Sequence, residues 1–115
     1  MSEHSQPSMY AQYLHEREGF SILEEPRGFA TYKQIDQDTY YLRDVFVMKE
    51  HRKSGVGSEL LAKISEIAKE NGAKRIQGSV CLDAKNVEQS MAVIIASGFR
   101  FLRGQGNMLY FVLDI

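Results

Sequence analysis

The stretch Val47–Leu61, VMKEHRKSGVGSELL, limits what this chain can fold into more than any other. An apolar run ending near Val47 leads through Arg52-Lys53-Ser54-Gly55-Val56-Gly57 into a helical pattern. Two glycines two apart let a backbone turn tightly and come close to a ligand. The first turn of a helix presents unpaired N–H groups and the positive end of its dipole, which together suit an anion. Arg52 and Lys53 add two cations at the mouth. The segment therefore predicts strand, turn and helix, with a phosphate cradle at the junction. Two common phosphate loops are excluded by content. There is no Gly-Lys-Ser/Thr ending, and neither a third glycine nor a downstream acid completes the dinucleotide-binding fingerprint. A plain surface turn before a helix stays open beside the cradle, because short glycine motifs often match by chance.

The pattern alternates on either side of this junction. Ser8 predicts the cap of a helix over Met9–Glu18, stopped by Gly19. Phe20–Glu24 and Gly28–Ile35 read as strands joined through Glu25-Pro26-Arg27. After the polar turn Asp36-Gln37-Asp38, Thr39–Met48 reads as a long β-branched and aromatic strand. Val56, Leu60, Leu61, Ile64, Ile67 and Ala68 recur at helical spacing, closed by Asn71-Gly72. Lys74–Leu82 is a strand and Asn86–Ser97 a helix closed by Gly98. Phe99–Arg103 and Met108–Leu113 are two final strands around Gly104-Gln105-Gly106. This order predicts an α+β fold, a small mixed, mostly antiparallel sheet with helices on both faces.

Composition narrows the function classes. At 115 residues a single domain, 1–115, is expected, with Met1–Pro7 a loose tail. Apolar residues at 43% and charged residues at 25% exclude a disordered chain. A formal net charge of −1 gives no reason to expect nucleic acid or an acidic membrane as partner. Cys81 is the only cysteine, which rules out an internal disulfide and fits a reducing, cytoplasmic setting. No apolar run approaches the roughly eighteen residues needed to span a bilayer, and MSEHSQPSMY lacks the features of a signal peptide. His4, His15 and His51 have no metal-ligand spacing with a second acid or thiol, so no metal is expected.

The arrangement Arg-x-x-Gly-x-Gly resembles the pyrophosphate loop of the GNAT superfamily of N-acetyltransferases, which binds acetyl-CoA. Leu42–Leu61, LRDVFVMKEHRKSGVGSELL, is similar to that superfamily's fourth strand, loop and third helix. Locally it is nearest the diamine acetyltransferase branch. Asn86–Phe99, NVEQSMAVIIASGF, resembles the second cofactor helix ending in Gly-Phe, with Ala73–Val80 as the strand between. The likeness runs from Phe29 to Ile115, roughly three quarters of the chain. It implies a GNAT-like acyl-CoA N-acyltransferase fold, shortened at its N-terminus, and an acceptor pocket that is open or completed by another chain. It also implies acetyl transfer from acetyl-CoA, the co-substrate, to an amine of a small molecule or peptide by direct attack in a ternary complex. Backbone groups of Val45, Phe46 and Val47 would then meet the pantetheine amides. Lys53, Ser54, Gly55, Val56, Gly57 and Ser58 would meet the pyrophosphate, flanked by Arg52. Asn86 and Ser90 match polar positions facing the cofactor arm, though Asn86 also reads as its helix's N-cap.

The match breaks down where the chemistry needs it. Acetyl transfer to an amine requires a free amine, an oxyanion stabiliser and a proton donor for the leaving thiolate. The resemblance assigns the oxyanion to the backbone N–H of Val45. The family's usual proton-donating tyrosine is replaced by Ile94, which is expected to pack in or beside the core like Val93 and Ile95. The diamine branch's base is replaced by Arg43, which accepts no proton at a workable pH. Asp44 remains a candidate base, but strand alternation puts Arg43 with Val45 and Val47, and Leu42, Asp44 and Phe46 on the other face. Arg43 is then expected to reach the acceptor, welcome a carboxylate and repel a polycation, or else to pair with an acid such as Asp83. Glu24, Glu25, Tyr40, Tyr41, Cys81 and Tyr110 are further groups able to move a proton. An α-amine with a pKa of about 7.8 is roughly 14% free base at pH 7, against about 0.04% for a lysine amine at 10.4. A site without a strong base is less handicapped with the former. A catalytically silent acetyl-CoA-binding module acting through a protein partner is the alternative. A homodimer through the Met108–Leu113 edge also stays open.

Overall fold

The computed structural model describes residues 8–85 and 87–115, so the expectations for Met1–Pro7 and Asn86 lie outside the described residues. Ser8 Oγ accepts a hydrogen bond from the Ala11 amide at 3.0 Å and starts α1 (Met9–Glu18). Gly19, at φ 73°, ends that helix by donating its N–H to the His15 carbonyl. A hairpin follows, β1 (Ser21–Glu25) and β2 (Gly28–Asp36), and then β3 (Thr39–Val47). A short 3-10 turn at Lys49–His51, which periodicity did not reveal, carries the chain into the loop before α2 (Val56–Glu70). The remaining elements are β4 (Arg75–Cys81), α3 (Val87–Ala96), β5 (Arg100–Gln105) and β6 (Met108–Asp114). Their ends differ from the sequence expectation by one or two residues, the usual latitude where elements fray.

The six strands form one sheet in the order β1-β2-β3-β4-β6-β5, antiparallel except between β3 and β4. Met108–Asp114 therefore lies inside the sheet, between β4 and β5. The edge expected there is instead supplied by β1 and β5. Leu60, Leu61, Ile64 and Ala68 on one stripe of α2 bury against Ala30, Tyr40, Leu42, Ile76 and Val80 of the sheet. α3 packs on the same face through Ile94, next to Phe99. On the other face lie α1, with Leu14 buried and Tyr10 edge-on to Phe29, and Phe20 beside Tyr41.

Two irregularities in β3 shape everything that follows. Thr31 pairs with Asp44 while Tyr32 pairs with Leu42, which leaves Arg43 as the extra residue of a β-bulge. The parallel ladder between β3 and β4 runs only from Thr39↔Arg75 to Leu42↔Gly78. Beyond that rung β3 stays with β2 as far as Val47, and β4 stays with β6 as far as Cys81. The two central strands fork.

Candidate active site

The fork leaves backbone groups facing open space. The Asp44 amide donates to Thr31 Oγ1 at 3.0 Å and the Met48 amide to the Arg27 carbonyl at 2.8 Å, both toward β2. Successive residues of a strand turn their N–H and C=O to opposite sides. Val45 and Val47 therefore direct theirs away from β2, into the gap that β4 has left. The Val47 carbonyl is met there by Arg52 Nε at 2.9 Å. Phe46 turns its backbone to β2 and offers its ring, 45% exposed, under the Arg52 guanidinium. A groove of about 590 Å³ runs along this edge, between the loop before α2 and the Gln89, Ser90 and Val93 side of α3.

The loop before α2 leaves the helix start uncapped and carries an unusual residue. Gly55, at φ 89°, precedes α2, and no side chain caps the helix's first amides. Ser54, placed to do so, donates its hydroxyl to the His51 carbonyl. Lys53 has φ 64°, the one positive value at a non-glycine among the described residues. Such a conformation costs about 1–2 kcal/mol for an L side chain. The loop thus keeps a glycine-like path while carrying an ammonium at its tip. Gly57 serves the packing of the helices instead. A Cβ there would stand 2.9 Å from Val93 Cγ2, so its absence lets α3 close on α2.

Of the residues expected to hold a cofactor, Val45, Phe46, Val47, Arg52, Lys53, Gly55, Val56, Gly57, Ser58 and Ser90 all line this groove. Ser54 does not, and Asn86 lies outside the described residues. The groove also gathers His51, Lys85 and Gln89, which sequence reasoning did not assign to it. Lys85, just before a predicted helix start, was the one with a readable signal.

A second, smaller cavity of about 40 Å³ lies beside the groove at the fork. It shares Val45, Ser90 and Val93 with the groove and adds Leu42, Arg43, Ser79, Val80 and Ile94. Ile94 is 5% exposed and packs in the core as expected, but its neighbour Ile95 is 59% exposed. Helical spacing turns the adjacent residue outward.

Arg43 is not on the face of Val45 and Val47, and the bulge is the reason. Its guanidinium carbon sits 4.2 Å from the Phe20 ring centroid, Nε donates to Asp44 Oδ2 at 3.0 Å, and Nη1 pairs with Glu18. Asp44 Oδ2 also accepts from Thr31 Oγ1 at 2.8 Å. Arg43 and Asp44 therefore share the α1 face, contrary to simple alternation. Asp83, the other acid considered for Arg43, accepts from Asn107 instead.

The remaining proton-moving candidates are mostly occupied. Glu24 accepts from Ser8 Oγ at 2.8 Å. Glu25 accepts from the Arg27 guanidinium at 2.6 and 2.8 Å and from the Arg27 amide at 3.2 Å, and these hydrogen bonds hold its carboxyl below the usual range. Tyr40 is buried with its oxygen accepting from Asn71 Nδ2 at 2.8 Å, and Tyr110 lies under Arg103. Cys81 is half-buried. Tyr41 reaches across the base of the fork to Ser79, oxygen to oxygen at 2.6 Å.

Comparison with known proteins agrees with this geometry. The sequence model of the Acetyltransferase (GNAT) family matches residues 2–89, which include the fork, the loop and α2. An acetyltransferase from Thermus thermophilus superposes with a TM-score of 0.74 at 19% identity, over 90% of this chain and 70% of that one. A GNAT family acetyltransferase from Elizabethkingia anophelis, solved with acetyl-CoA bound, gives 0.70 at 14% identity over 95% and 84%. A Bacillus subtilis acetyltransferase in complex with CoA gives 0.71 at 16% identity over 99% and 95%. At these identities the structures speak for the fold, the acyl-CoA N-acyltransferase fold. With a family match over well more than half its length, the chain belongs to the GNAT acetyltransferase family.

Proposed function

We propose that this protein moves the acetyl group of acetyl-CoA to an amine by direct attack in a ternary complex. The observation that carries this reading is the continuity between the forked edge of β3 and the uncapped N-terminus of α2. An extended pantetheine arm fits along Val45 and Val47 as a strand would, its amides exchanging hydrogen bonds with theirs. The pyrophosphate then falls at the amides of residues 53–58, with Arg52, Lys53 and Lys85 around it. The thioester comes to rest at the fork, beside the small cavity, where the Val45 N–H meets the charge that develops on the carbonyl oxygen.

The amine enters from the α1 face. Asp44 is the carboxylate that the bulge places there, and it takes the amine's proton directly or through a water. Arg43 is a positioning residue in this reading, since Asp44 and Glu18 already engage its guanidinium. The repulsion of polycations expected of a free Arg43 is cancelled by these two acids. The local likeness to diamine acetyltransferases therefore fits a small amine. The free-base argument still favours an acceptor of low pKa, such as an α-amine. The single cysteine fits a cytoplasmic setting.

Calorimetry with acetyl-CoA, followed by mass spectrometry of an amine panel, tests this reading. Binding together with acetylated products, greater for α-amines than for lysine side chains, is the expected result. Absence of acetyl-CoA binding would remove the proposal. Binding without product on any amine would favour the second reading, a cofactor-binding module acting through a partner, for which the burial of Ile94 in the tyrosine's place speaks.

A further inference from the structure

We infer that Ser79, backed by Tyr41, supplies the proton that the leaving thiolate takes up. The inference rests on the acetyl transfer proposed above and assigns a role that Ile94 is chemically unable to fill. Leu42↔Gly78 is the last rung between β3 and β4, so Ser79 is the first residue of β4 past the point of divergence. Tyr40, Leu42, Gly78 and Val80 face the core, which puts Tyr41 and Ser79 together on the α1 face. Their oxygens are 2.6 Å apart, and Phe20 packs beside the Tyr41 ring at 6.3 Å. Ser79 lines the small cavity at the fork, whose other walls are mainly Leu42, Val45, Val80, Val93 and Ile94, and which shares Val45, Ser90 and Val93 with the groove. Arg43 is there too, but its guanidinium is held by two carboxylates and does not release protons. Ser90 supplies the other hydroxyl, from the α3 side of the cavity. Ser79 is the hydroxyl with a phenol directly behind it.

A serine alone is a poor acid, and the phenol is what makes the donation workable. The amine nitrogen forms its bond to the thioester carbon, and the carbon–sulfur bond breaks as the carbonyl re-forms. Sulfur takes the Ser79 hydroxyl proton while Ser79 Oγ takes the proton of Tyr41. Asp44 has already taken the ammonium's proton, so the proton that restores the tyrosine oxygen is the one the nitrogen sheds after attack, carried through water on the α1 face. Thioester and amine become amide and thiol, with no change of oxidation state.

Ser79→Ala, Ser79→Thr and Tyr41→Phe, each checked for folding by thermal melting, test the relay with acetyl-CoA and the best amine of the panel. General acid catalysis is typically worth about 10²–10⁴-fold, so Ser79→Ala should lower kcat by about 10²-fold while KM for acetyl-CoA changes less than about threefold. Ser79→Thr should restore most of the rate. Rates in mixtures of light and heavy water should bow for the unmodified protein, with two protons in flight, and run straight for Tyr41→Phe. A folded Ser79→Ala with kcat within about threefold of the unmodified protein overturns the relay and leaves acetyl transfer standing. Should Ser79→Ala fail to fold, Tyr41→Phe decides alone: an unchanged kcat and a bowed isotope plot overturn the relay. If the unmodified protein acetylates no amine, the reading beneath the relay falls, and the relay with it.

Discussion

A side chain added at Gly55 would meet nothing within 4 Å, whereas one at Gly57 would run into Val93 Cγ2 at 2.9 Å. The two glycines of the motif therefore answer to different forces, and substitution separates them. Gly55→Val should fold, at a cost of about 1–2 kcal/mol for holding a left-handed backbone. Its side chain lies at the opening of the amide cradle, so calorimetry should show acetyl-CoA affinity falling by at least about tenfold, about 1.4 kcal/mol. Unchanged affinity in the folded variant would remove the cradle assignment. Gly57→Ala should act on packing instead, lowering stability by about 1–3 kcal/mol through overpacking between α2 and α3. Val93→Ala in the same chain should recover most of that loss in a thermal melt, because the two changes meet in one contact. Lys53 sits between these cases: its φ of 64° is a glycine conformation kept by a cation, where a phosphate would meet both its amide and its ammonium.

In the proposed function, strand β3 acts through two departures from regularity. The bulge at Arg43 turns Asp44 to the α1 face, and the fork after Leu42 frees the backbone of Val45 and Val47. On the facing helix, α3, Ile94 closes the small cavity from the core side. It lies near Gly78, with Ile94 Cδ1 3.9 Å from where a Cβ on that glycine would be. Ile94→Tyr would push a larger ring into this contact and bring a hydroxyl among Leu42, Val80 and Phe99. We expect it to lower stability by about 1–3 kcal/mol and to leave kcat unchanged or reduced. Thermal melting and steady-state kinetics check this. A large gain in kcat would show that the donor's place on α3 was vacant, and would contradict the assignment to Ser79.

At the scale of the whole molecule, the sheet carries the groove on one face and a charged cluster on the other, with the fork between them. The groove lies on the α2 and α3 side, and the Glu18, Arg43 and Asp44 cluster on the α1 side. In the proposed ternary complex, acetyl-CoA and the amine occupy the two sides of the fork and must both be bound before the acetyl group moves. Initial velocities should therefore give intersecting double-reciprocal lines when both substrates are varied. Incubation with acetyl-CoA alone should leave the protein's mass unchanged, Cys81 included. Parallel lines, or an acetylated protein in the absence of amine, would point to a covalent intermediate and overturn the ternary complex.

The sequence by itself determined what depends on neighbours along the chain. Ser8 and Gly19 bracket α1, the spacing of Val56, Leu60, Leu61 and Ile64 sets the buried stripe of α2, and alternation marks β4. The Gly-x-Gly junction located the groove because a left-handed residue before a helix is itself a local signal. Tertiary structure decided what two distant segments settle between them. The bulge at Arg43 exists only in the register of β3 against β2, so alternation along β3 alone turned Arg43 to the wrong face. Sheet order placed β6 beside β4 and took away the edge that its position in the chain suggested. The Arg43–Glu18 pair spans 25 residues and the Tyr41–Ser79 pair 38. No period or cap encodes such a pairing. Side chains acquire these partners only when sheet twist, register and packing bring their strands together.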